Sequence, residues 1–383
     1  PYRSILIDKF KVIVANPGRQ HSDQMASGLS EADMLALYVH SAPVRTSLAN
    51  EVSADVNLEL KRYRLAIAAS SRLLAGNVRI AVAHRVYARF GEALAGIAYN
   101  HIWSAVICTE NSALPVFRLA RERGAVTILD AASVHHGWQT RLPDPGLARR
   151  NAIKDSEIAL ADHILTCSPM ARDSYLEAGV PPNRVHVLSL GVDLDGFSEP
   201  RLTERPGPVR FLFIGRGGRA KGTDILAAAC ARLADAGLDF RLDCLGNLTP
   251  DAVEQLRPYA TFHGEVAHDQ LADHLRAADI LVHPSRFDSF GLVVPEALAC
   301  GTPVIVSDRT GAKYMIRDGE TGWTVATEDV DALFSRMAAC AAQPDQCRAM
   351  RSACRTEALR HDWARYRADA AALVADLIRA GRG

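Results

Sequence analysis

Two carboxylates eight positions apart mark residues 279–308 as the part of this sequence best suited to chemistry. The segment reads DILVHPSRFDSFGLVVPEALACGTPVIVSD. Its apolar runs and breaks predict a buried strand, a loop, a short helix from about Gly291 to Ala299 and a second strand. Asp288 lies in the predicted loop and Glu296 in the predicted helix. Both carboxylates could accept hydrogen bonds from a polyol, and the helix N-terminus around Ser289–Leu292 would attract phosphate or sugar oxygens.

Each carboxylate also has a structural explanation. Asp288 could be a simple N-cap of the helix. Glu296 could be an ordinary surface residue, although its neighbours Val294, Ala297 and Leu298 are apolar and typical of buried positions. We therefore favour ligand binding for both carboxylates and keep the structural explanations as alternatives.

A glycine-rich turn at residues 213–224, FIGRGGRAKGTD, is the second candidate site. Its glycines permit a tight turn and a close approach of backbone N–H groups to an anion. Arg216 and Lys221 add a fork-shaped guanidinium and a point-charge ammonium, a combination that suits a diphosphate. The structural alternative is an ordinary turn between a strand and a helix, with solvated basic side chains.

The same turn contains the pattern G-x-G-x-x-A, which is typical of dinucleotide-binding proteins. The pattern is formed by Gly215, Gly217 and Ala220. Asp239 or Asp243, near the next strand, could then bind a ribose. Such a turn does not require the two cations found here, so an NAD-dependent dehydrogenase is the less favoured alternative.

Two loops in the first half of the chain also follow predicted strands. The first, NPGRQHS at residues 16–22, offers Gly18 for a close backbone approach to phosphates and Arg19 for charge. The second, DAASVHHGWQ at residues 130–139, holds His135 and His136, which could bind a sugar or assist proton transfer. Plain connections between strand and helix, with structural histidines, are the alternative.

These candidate residues need a framework of strands and helices to hold them. Nine short apolar runs are predicted to be strands, and most are separated by ten or more residues with helical spacing. This alternation predicts an α/β protein with doubly wound parallel sheets, and ligands beyond the carboxyl ends of the strands. The predicted strands are Lys11–Ala15, Ala105–Thr109, Val126–Asp130, His163–Cys167, Arg184–Leu188, Arg210–Ile214, Asp239–Leu245, Ile280–Pro284 and Pro303–Ser307.

The chain divides best at residues 191–208, GVDLDGFSEPRLTERPGP, which are rich in glycine, proline and charge. A length of 383 residues predicts two domains, at roughly 100–200 residues each. We predict one Rossmann-like domain at residues 1–195 and a second at residues 196–361, facing a cleft. An amphipathic C-terminal helix at residues 362–383 is predicted to pack back on the first domain.

The two candidate segments of the second half together resemble the retaining GT-B glycosyltransferases of family 4. Asp288–Ile305 is similar to the EX7E motif of that family, in which a carboxylate precedes (S/G)FG, an aliphatic run, Glu-Ala and Gly-x-Pro-Val-Ile. The turn GRGGRAKGTD resembles the family's GR…KG phosphate turn, and residues 160–197 resemble its interdomain segment. The similarity covers most of Leu160–Val330 strongly and the first domain weakly.

The resemblance implies a GT-B fold and roles for these residues. Arg216 and Lys221 would bind the diphosphate of a nucleotide-sugar donor, and Glu296 would bind its ribose. The carboxylate near the donor sugar is normally Glu in the family; here Asp288 is one methylene shorter. The other implied donor-binding positions are Ser289, Phe290, Gly291, Leu292, Gly18 and, near the base, Val266 in the turn His263–Val266.

In the first half the resemblance implies a D-x-x-S-x-H arrangement of Asp130, Ser133 and His135, with His135 favoured over His136 near the donor sugar. The implied catalytic residues are His135, Asp288, Arg216 and Lys221. The implied reaction transfers a sugar with retention of configuration from a UDP- or GDP-linked donor to a glycan or lipid-linked acceptor. It needs neither a metal ion nor a cofactor.

Three other functions stay open at this point. The first is an enzyme of the same fold with another reaction, such as a sugar-nucleotide epimerase that acts on the donor alone. The second is a protein that binds sugar nucleotides but does not catalyse a reaction. Asp288, in place of the usual Glu of the family, is the reason to consider it. The third is the dehydrogenase described above.

The distribution of charge bears on the partners. Lys+Arg and Asp+Glu both number 44, and this balance disfavours a general nucleic-acid binder. Residues 61–90, however, contain seven Lys or Arg and no Asp or Glu, interleaved with apolar residues. Such a segment suits an anionic membrane surface, or else a pair of core helices with a solvated basic face. We expect a cytoplasmic enzyme that is peripheral on the inner face of the membrane.

The eight cysteines predict neither a metal site nor a disulfide framework. They form no CxxC pair and no Cys/His cluster with zinc spacing, which agrees with a reducing compartment. Cys340, Cys347 and Cys354 recur every seven residues. This spacing predicts that the three cysteines lie on one stripe of a single helix and pack in the core.

Overall fold

The computed structural model describes residues 10–18, 21–42, 52–74, 76–138, 146–198 and 207–381. Arg19, which was predicted to bring charge to a phosphate loop, lies outside the described residues. The chain forms two compact units. The first comprises residues 1–167, 171–189 and 364–383, and the second comprises residues 168–170 and 190–363.

The first unit is built on a seven-stranded parallel sheet in the order β3-β2-β1-β4-β5-β6-β7. Its strands are β1 (Val12–Asn16), β2 (Leu35–His40), β3 (Asn57–Glu59), β4 (Ala105–Thr109), β5 (Val126–Ala131), β6 (His163–Thr166) and β7 (Val185–Val187). The neighbours β1 and β4 are buried along their whole length, because parallel strands are covered on both faces. The strand order reverses between these two strands, and ligands of such sheets bind beyond the carboxyl ends at that point.

Helices surround this sheet. They are α1 (Ser22–Glu31), α2 (Lys61–Leu73), α3 (Gly76–Ala98), α4 (Leu114–Arg123), α5 (Leu147–Leu160) and α6 (Pro169–Glu177). The core holds large buried side chains such as Phe90, Phe117 and Tyr175. The helix α2 packs against α3, but Leu65 and Leu73 of α2 are exposed to solvent.

The second unit is built on a six-stranded parallel sheet in the order β10-β9-β8-β11-β12-β13. Its strands are β8 (Val209–Ile214), β9 (Phe240–Leu245), β10 (Ala260–Gly264), β11 (Ile280–His283), β12 (Val304–Ser307) and β13 (Gly322–Val325). Its first helices are α7 (Thr223–Asp235), α8 (Pro250–Leu256), α9 (His268–Ala277) and α10 (Val293–Ala299). The strand order reverses between β8 and β11, so the turn after β8 and the loop after β11 flank the expected ligand position.

The chain ends in four further helices, α11 (Val330–Ala342), α12 (Pro344–Ala349), α13 (Arg351–Ala358) and α14 (Trp363–Ala380). Cys340, Cys347 and Cys354 are buried but belong to three of these helices. The prediction of a single helix was wrong because Pro344 has no N–H with which to continue α11. The last helix, α14, buries Tyr366 among other apolar residues and belongs almost entirely to the first unit.

Candidate active site

Lys221, His283 and Asp288 meet at the point where the strand order of the second unit reverses. Lys221 follows β8, whereas His283 ends β11 and Asp288 lies in the loop after it. Lys221 Nζ lies 2.6 Å from Asp288 Oδ2, and His283 Nε2 lies 3.2 Å from the same oxygen. Two residues that were predicted to bind a donor are therefore in direct contact. His283 joins them without having been predicted.

Asp288 is a stable anion in this arrangement. Burial by itself raises the pKa of the Asp288 carboxyl, but the hydrogen bond from His283 and the positive charge of Lys221 outweigh that effect. Together they hold the pKa well below its usual range. The side chain of Asp288 is still 20% exposed. A ligand can therefore reach a carboxylate whose negative charge is already stabilised.

The glycine-rich turn is shaped by close backbone contacts. Gly222 has a φ of +74°, and a Cβ atom there would lie 2.0 Å from the carbonyl oxygen of Pro284. Only glycine fits such a position, and the close approach brings the neighbouring Lys221 beside the loop after β11. The N–H of Gly217 donates to Asn247 at 2.9 Å, so this predicted anion donor is already used within the protein.

Arg216, the second predicted cation, does not join the Lys221–Asp288 pair. Its guanidinium lies 3.3 Å from Glu265 Oε1, and its side chain is 83% exposed. An exposed ion pair of this kind is weak. Arg216 is thus free to swing toward an anionic ligand from the same turn that carries Lys221.

Arg286 braces the turn against the loop, a feature that the sequence motifs did not reveal. Its guanidinium donates two hydrogen bonds to the carboxylate of Asp224, at 2.6 and 2.9 Å. Its backbone N–H donates to the carbonyl of Ala220 at 3.0 Å. A planar guanidinium that binds a carboxylate through two bonds fixes orientation as well as distance. Arg286 therefore holds Lys221 and Asp288 in register.

The loop after Asp288 differs from the prediction. Gly291 has a φ of +86°, a conformation that does not occur inside an α-helix, so α10 begins at Val293 and spans only seven residues. Ser289 consequently lies outside the helix, and the N-cap is Leu292, the last residue of the predicted N-terminal stretch Ser289–Leu292. The carbonyl of Ser289 accepts a hydrogen bond from Ser168 Oγ at 2.7 Å. Phe290 is buried, and Leu292 is exposed.

Two other predicted donor-binding positions lie elsewhere in the second unit. Glu296 is half-buried in the first turn of α10, and its neighbours Val294, Ala297 and Leu298 are buried, as predicted. Val266 is half-buried and follows β10.

The two ribose-binding candidates of the dehydrogenase alternative gain no support from their positions. His263 Nε2 lies 2.7 Å from Asp243 Oδ1, so Asp243 is already paired. Asp239 precedes the first residue of β9. It therefore lies at the amino end of that strand, opposite the end where a ribose would bind.

The candidates of the first unit pair with different partners. His21 Nε2 lies 3.0 Å from Asp130 Oδ1, and Ser133 Oγ donates to Glu110 at 3.3 Å. The N–H of Gly18 donates to the side chain of Asn16 at 2.7 Å, so it is used within its own turn. Among the described residues, no hydrogen bond joins Asp130, Ser133 and His135 to one another.

His135 is held firmly and is uncharged at neutral pH. Its backbone N–H donates to Ser174 Oγ at 2.8 Å, and its Nδ1 accepts from the N–H of Gly137 at 3.1 Å. Its ring centroid lies 4.1 Å from that of His136. Burial, and then the neighbouring His136, lower the pKa of His135 below its usual value. The imidazole can therefore take part in hydrogen bonds but brings no positive charge.

Three potential metal ligands occur near this histidine pair. His135, His136 and Asp155 each offer a ligand atom, and these atoms lie within 4.8 Å of one another. His136 Nε2 already pairs with Asp155 Oδ1 at 3.0 Å. The N–H of Gly137 donates to Nδ1 of His135, whereas Nδ1 of His136 is buried without a hydrogen-bond partner among the described residues.

Sequence comparison relates both units to enzymes that transfer sugars. The family model described as "Glycosyl transferases group 1" matches residues 208–343, and the model described as "Glycosyltransferase Family 4" matches residues 106–195. The D-inositol 3-phosphate glycosyltransferase 1 of Catenulispora acidiphila is 32% identical over 297 residues, which cover 69% of this chain and 70% of that protein. The glycogen synthase of Mycobacterium tuberculosis is 30% identical over 211 residues, or 53% of this chain and 50% of that protein. The match thus spans only about half the length of the second relative.

Structure comparison gives the same fold over nearly the whole chain. Sucrose-phosphate synthase from Thermosynechococcus elongatus superposes with a TM-score of 0.75 at 20% identity, over 97% of this chain and 100% of that one. Anabaena HepE, solved in complex with UDP, superposes with a TM-score of 0.69 at 14% identity, over 96% and 100%. The predicted architecture of two Rossmann-like parallel-sheet domains is confirmed.

Proposed function

The chain belongs to glycosyltransferase family 4, and from this premise we propose that it transfers a sugar with retention of configuration from a UDP- or GDP-linked donor. The acceptor is a glycan or a lipid-linked molecule. The observation that carries the proposal is the contact between Lys221 and Asp288 at the reversal of strand order in the second unit. It combines a cation for a diphosphate with an acceptor for sugar hydroxyls.

The donor diphosphate binds in the glycine-rich turn. Lys221 supplies a compact charge on a flexible stem, and the exposed Arg216 supplies a fork that can hold two phosphate oxygens. Negative charge grows on the diphosphate as the bond to the sugar breaks. Cations aimed at that charge stabilise the transition state more than the ground state. Arg216 and Lys221 are therefore the principal catalytic cations of the proposal.

The rest of the donor lies against the loop after β11 and the helix α10. Asp288 accepts a hydrogen bond from a donor-sugar hydroxyl, and Glu296 accepts from the ribose. Backbone groups of residues 289–292 line the sugar and phosphate. Gly291 has no side chain, so the donor can approach the backbone closely there. Val266, after β10, lies near the base. Support for this arrangement comes from the half-burial of both carboxylates, which leaves each of them within reach of a ligand.

Retention of configuration results because the acceptor hydroxyl attacks the same face of the sugar from which the diphosphate departs. In this proposal the departing phosphate takes the proton of the acceptor hydroxyl, so no protein carboxylate has to act as a nucleophile. Asp288 is held as a stable anion by two donors, which suits hydrogen bonding better than covalent catalysis. His135 of the first unit stays a predicted catalytic residue, and its uncharged imidazole can donate or accept a hydrogen bond. Neither a metal ion nor a cofactor takes part.

A lipid-linked acceptor requires contact with a membrane, and we assign that contact to α2 and α3. Leu65, Leu73 and Val78 are exposed on these helices, with Leu73 at 81%. Five exposed basic residues accompany them: Lys61, Arg62, Arg79, Arg85 and Arg89. Apolar side chains surrounded by cations suit the surface of an anionic bilayer. Within the described residues, none of the helices has the length and apolar character needed to span a bilayer.

Vesicle flotation tests the membrane assignment. We expect binding to vesicles that contain phosphatidylglycerol and little binding to vesicles of phosphatidylcholine alone. Leu73→Ser with Val78→Ser should weaken binding about 10-fold per residue, because each substitution removes apolar burial. Leu359→Ser is the matched control, since Leu359 is an exposed leucine of the second unit. Equal binding by the double variant and the wild type would contradict the assignment.

A ligand panel with product analysis tests the proposed reaction. UDP, GDP, ADP, their sugars and NAD are compared by thermal stabilisation, and a ligand at about 100 times its Kd adds roughly 2.7 kcal/mol to the free energy of unfolding. The proposal predicts stabilisation by UDP or GDP and by the matching sugar. Stabilisation by NAD alone would refute it. A product formed from the donor alone, in the form of an epimer, would refute the transferase assignment specifically.

A further inference from the structure

His283 is a buried histidine whose side chain makes one hydrogen bond within the described part of the chain, to Asp288. It ends β11, is 2% exposed, and points Nε2 at Asp288 Oδ2 from a distance of 3.2 Å. Because a carboxylate can only accept, Nε2 carries the proton and donates it. Nδ1, the other ring nitrogen, is buried and has no hydrogen-bond partner among the described residues.

The unpaired nitrogen makes a purely space-filling role a poor explanation. A buried polar atom without a partner costs free energy. A leucine would occupy similar space on this strand, which is otherwise apolar and fully buried, without that cost. The presence of an imidazole is therefore explained by what Nε2 does, and Nε2 bonds to the side chain proposed to meet the donor sugar.

Lys221 cannot serve Asp288 and a diphosphate equally well. Its ammonium lies 2.6 Å from Asp288 Oδ2. A diphosphate offers more negative charge and several acceptor oxygens, so it draws the ammonium away from a single carboxylate. Asp288 then keeps only His283 as a donor, while its side chain stays mostly buried.

We propose that His283 is a positioning residue that holds Asp288 for the donor sugar once Lys221 has turned to the diphosphate. This inference rests on the proposed function. Both present contacts use Oδ2 of Asp288, so the bond from His283 fixes the carboxylate and leaves Oδ1 directed at a sugar hydroxyl. The short side chain of Asp288 needs this support, because Asp reaches about 1.5 Å less far than Glu.

Gly291 completes the arrangement. A Cβ atom at Gly291 would lie 3.6 Å from both Asp288 Cγ and His283 Nε2, and 2.9 Å from Thr310 Cγ2. A side chain at position 291 would therefore contact the histidine–carboxylate pair, and glycine leaves that space open.

Three variants test the proposal: His283→Leu, His283→Gln and Asp288→Asn. The matched pair is His283→Leu and His283→Gln, because the amide of Gln keeps an N–H donor whereas Leu keeps only the volume. Binding of UDP and UDP-glucose, and of GDP and GDP-mannose, is measured by calorimetry. Turnover is measured with the sugar nucleotide that binds to the wild type.

We expect the loss of His283 to reduce activity with the sugar nucleotide and to leave binding of the nucleoside diphosphate nearly unchanged. His283→Leu should bind the nucleoside diphosphate within about 2-fold of the wild type, but lose about 10- to 100-fold in kcat/KM for the sugar nucleotide, the range typical of a lost hydrogen bond to a charged group. His283→Gln should recover most of that loss. In the Asp288→Asn background, His283→Leu should have little further effect, because the two residues act as one unit.

Other results separate this proposal from the proposed function. If the wild type binds the nucleotides but His283→Leu and His283→Gln behave alike, the positioning role is overturned and the proposed function stands. An equal loss of nucleoside diphosphate and sugar nucleotide binding would also overturn it, since that pattern indicates a general structural role. If the wild type binds none of the four nucleotides, the proposed function itself falls.

Discussion

Each unit of the molecule holds a lysine–carboxylate pair near the carboxyl ends of its central strands, and the two pairs differ in exposure. In the first unit, Lys154 Nζ lies 2.8 Å from Glu110 Oε2, and both side chains are 10% exposed. In the second, Lys221 Nζ lies 2.6 Å from Asp288 Oδ2, and the side chains are 26% and 20% exposed. The two ion pairs thus have similar N–O distances but differ in solvent exposure.

The partners of the two carboxylates show what this difference means. Glu110 also accepts hydrogen bonds from Tyr175 at 2.8 Å and from Ser133 at 3.3 Å, so the protein itself satisfies it. Asp288 receives its two bonds on one oxygen and remains open to solvent. We infer that the Glu110–Lys154 pair is part of the scaffold, whereas the Lys221–Asp288 pair can exchange its partners for a ligand.

The largest expected effect is the loss of stability when the buried pair is broken. Lys154→Met should lower the free energy of unfolding by about 3–5 kcal/mol, because Glu110 is left buried without its counter-charge. Lys221→Met should cost less, about 1 kcal/mol, because water can reach the partly exposed Asp288 and His283 still donates to it. Urea unfolding followed by circular dichroism measures both. Equal losses would remove the distinction between the pairs.

The next effect is on catalysis and belongs to the second unit. Lys221→Ala should reduce kcat about 10²- to 10³-fold, the size found when a group that stabilises transition-state charge is removed. The matched control is Arg232→Ala, which deletes an exposed cation that pairs with Asp331 on the surface of the same unit. Steady-state kinetics with the sugar nucleotide makes the comparison. Retention of full turnover by Lys221→Ala would exclude Lys221 from the reaction.

The smallest expected effect is a dependence of stability on pH in the first unit. Glu157 is fully buried and accepts backbone hydrogen bonds from Asn111, Ala113 and Leu114. Burial outweighs these bonds and raises the pKa of Glu157 from 4.5 to about 7. The folded state therefore holds the proton more tightly than the unfolded chain does. Its contribution to stability is complete below pH 4.5 and is lost as the pH rises through about 7.

This dependence is measured as a difference between two proteins. The free energy of unfolding of the wild type, minus that of Glu157→Gln, should fall between pH 4.5 and 7 by at most about 1.4 kcal/mol per pH unit. Other titrating groups cancel in the difference. A flat difference would show that folding does not raise the pKa of Glu157. The carboxyl of Asp288 is expected to behave in the opposite way, because its pKa is lowered.

Much of the fold follows from the sequence because apolar runs in parallel sheets are strong signals. Each of the nine predicted strands exists, with ends within one residue of those predicted. The strands β2, β3, β10 and β13 were not among the nine predicted strands. β3 has only three residues, all of them half-buried, and β13 is a four-residue strand that begins with a glycine. Such short or interrupted segments carry little periodicity.

The residue types of the candidate site could be predicted from the sequence, but the contacts between those residues could not. Lys221 and Asp288 were recognisable from motifs, yet their contact depends on Gly222 packing against Pro284, 62 positions further along the chain. His283 and Arg286 were missed because they occupy a buried strand end and an irregular loop, where no spacing rule applies. The start of α10 was wrong because the positive φ of Gly291 was not anticipated.

A crystal structure of the protein with UDP or GDP bound would test the account most directly. We expect Lys221 Nζ to lie farther from Asp288 Oδ2 than 2.6 Å and within about 3 Å of a phosphate oxygen. Asp288 would keep its bond to His283. If the nucleotide binds while the Lys221–Asp288 contact stays intact and the phosphates lie elsewhere, the pair is not exchangeable and the account is contradicted.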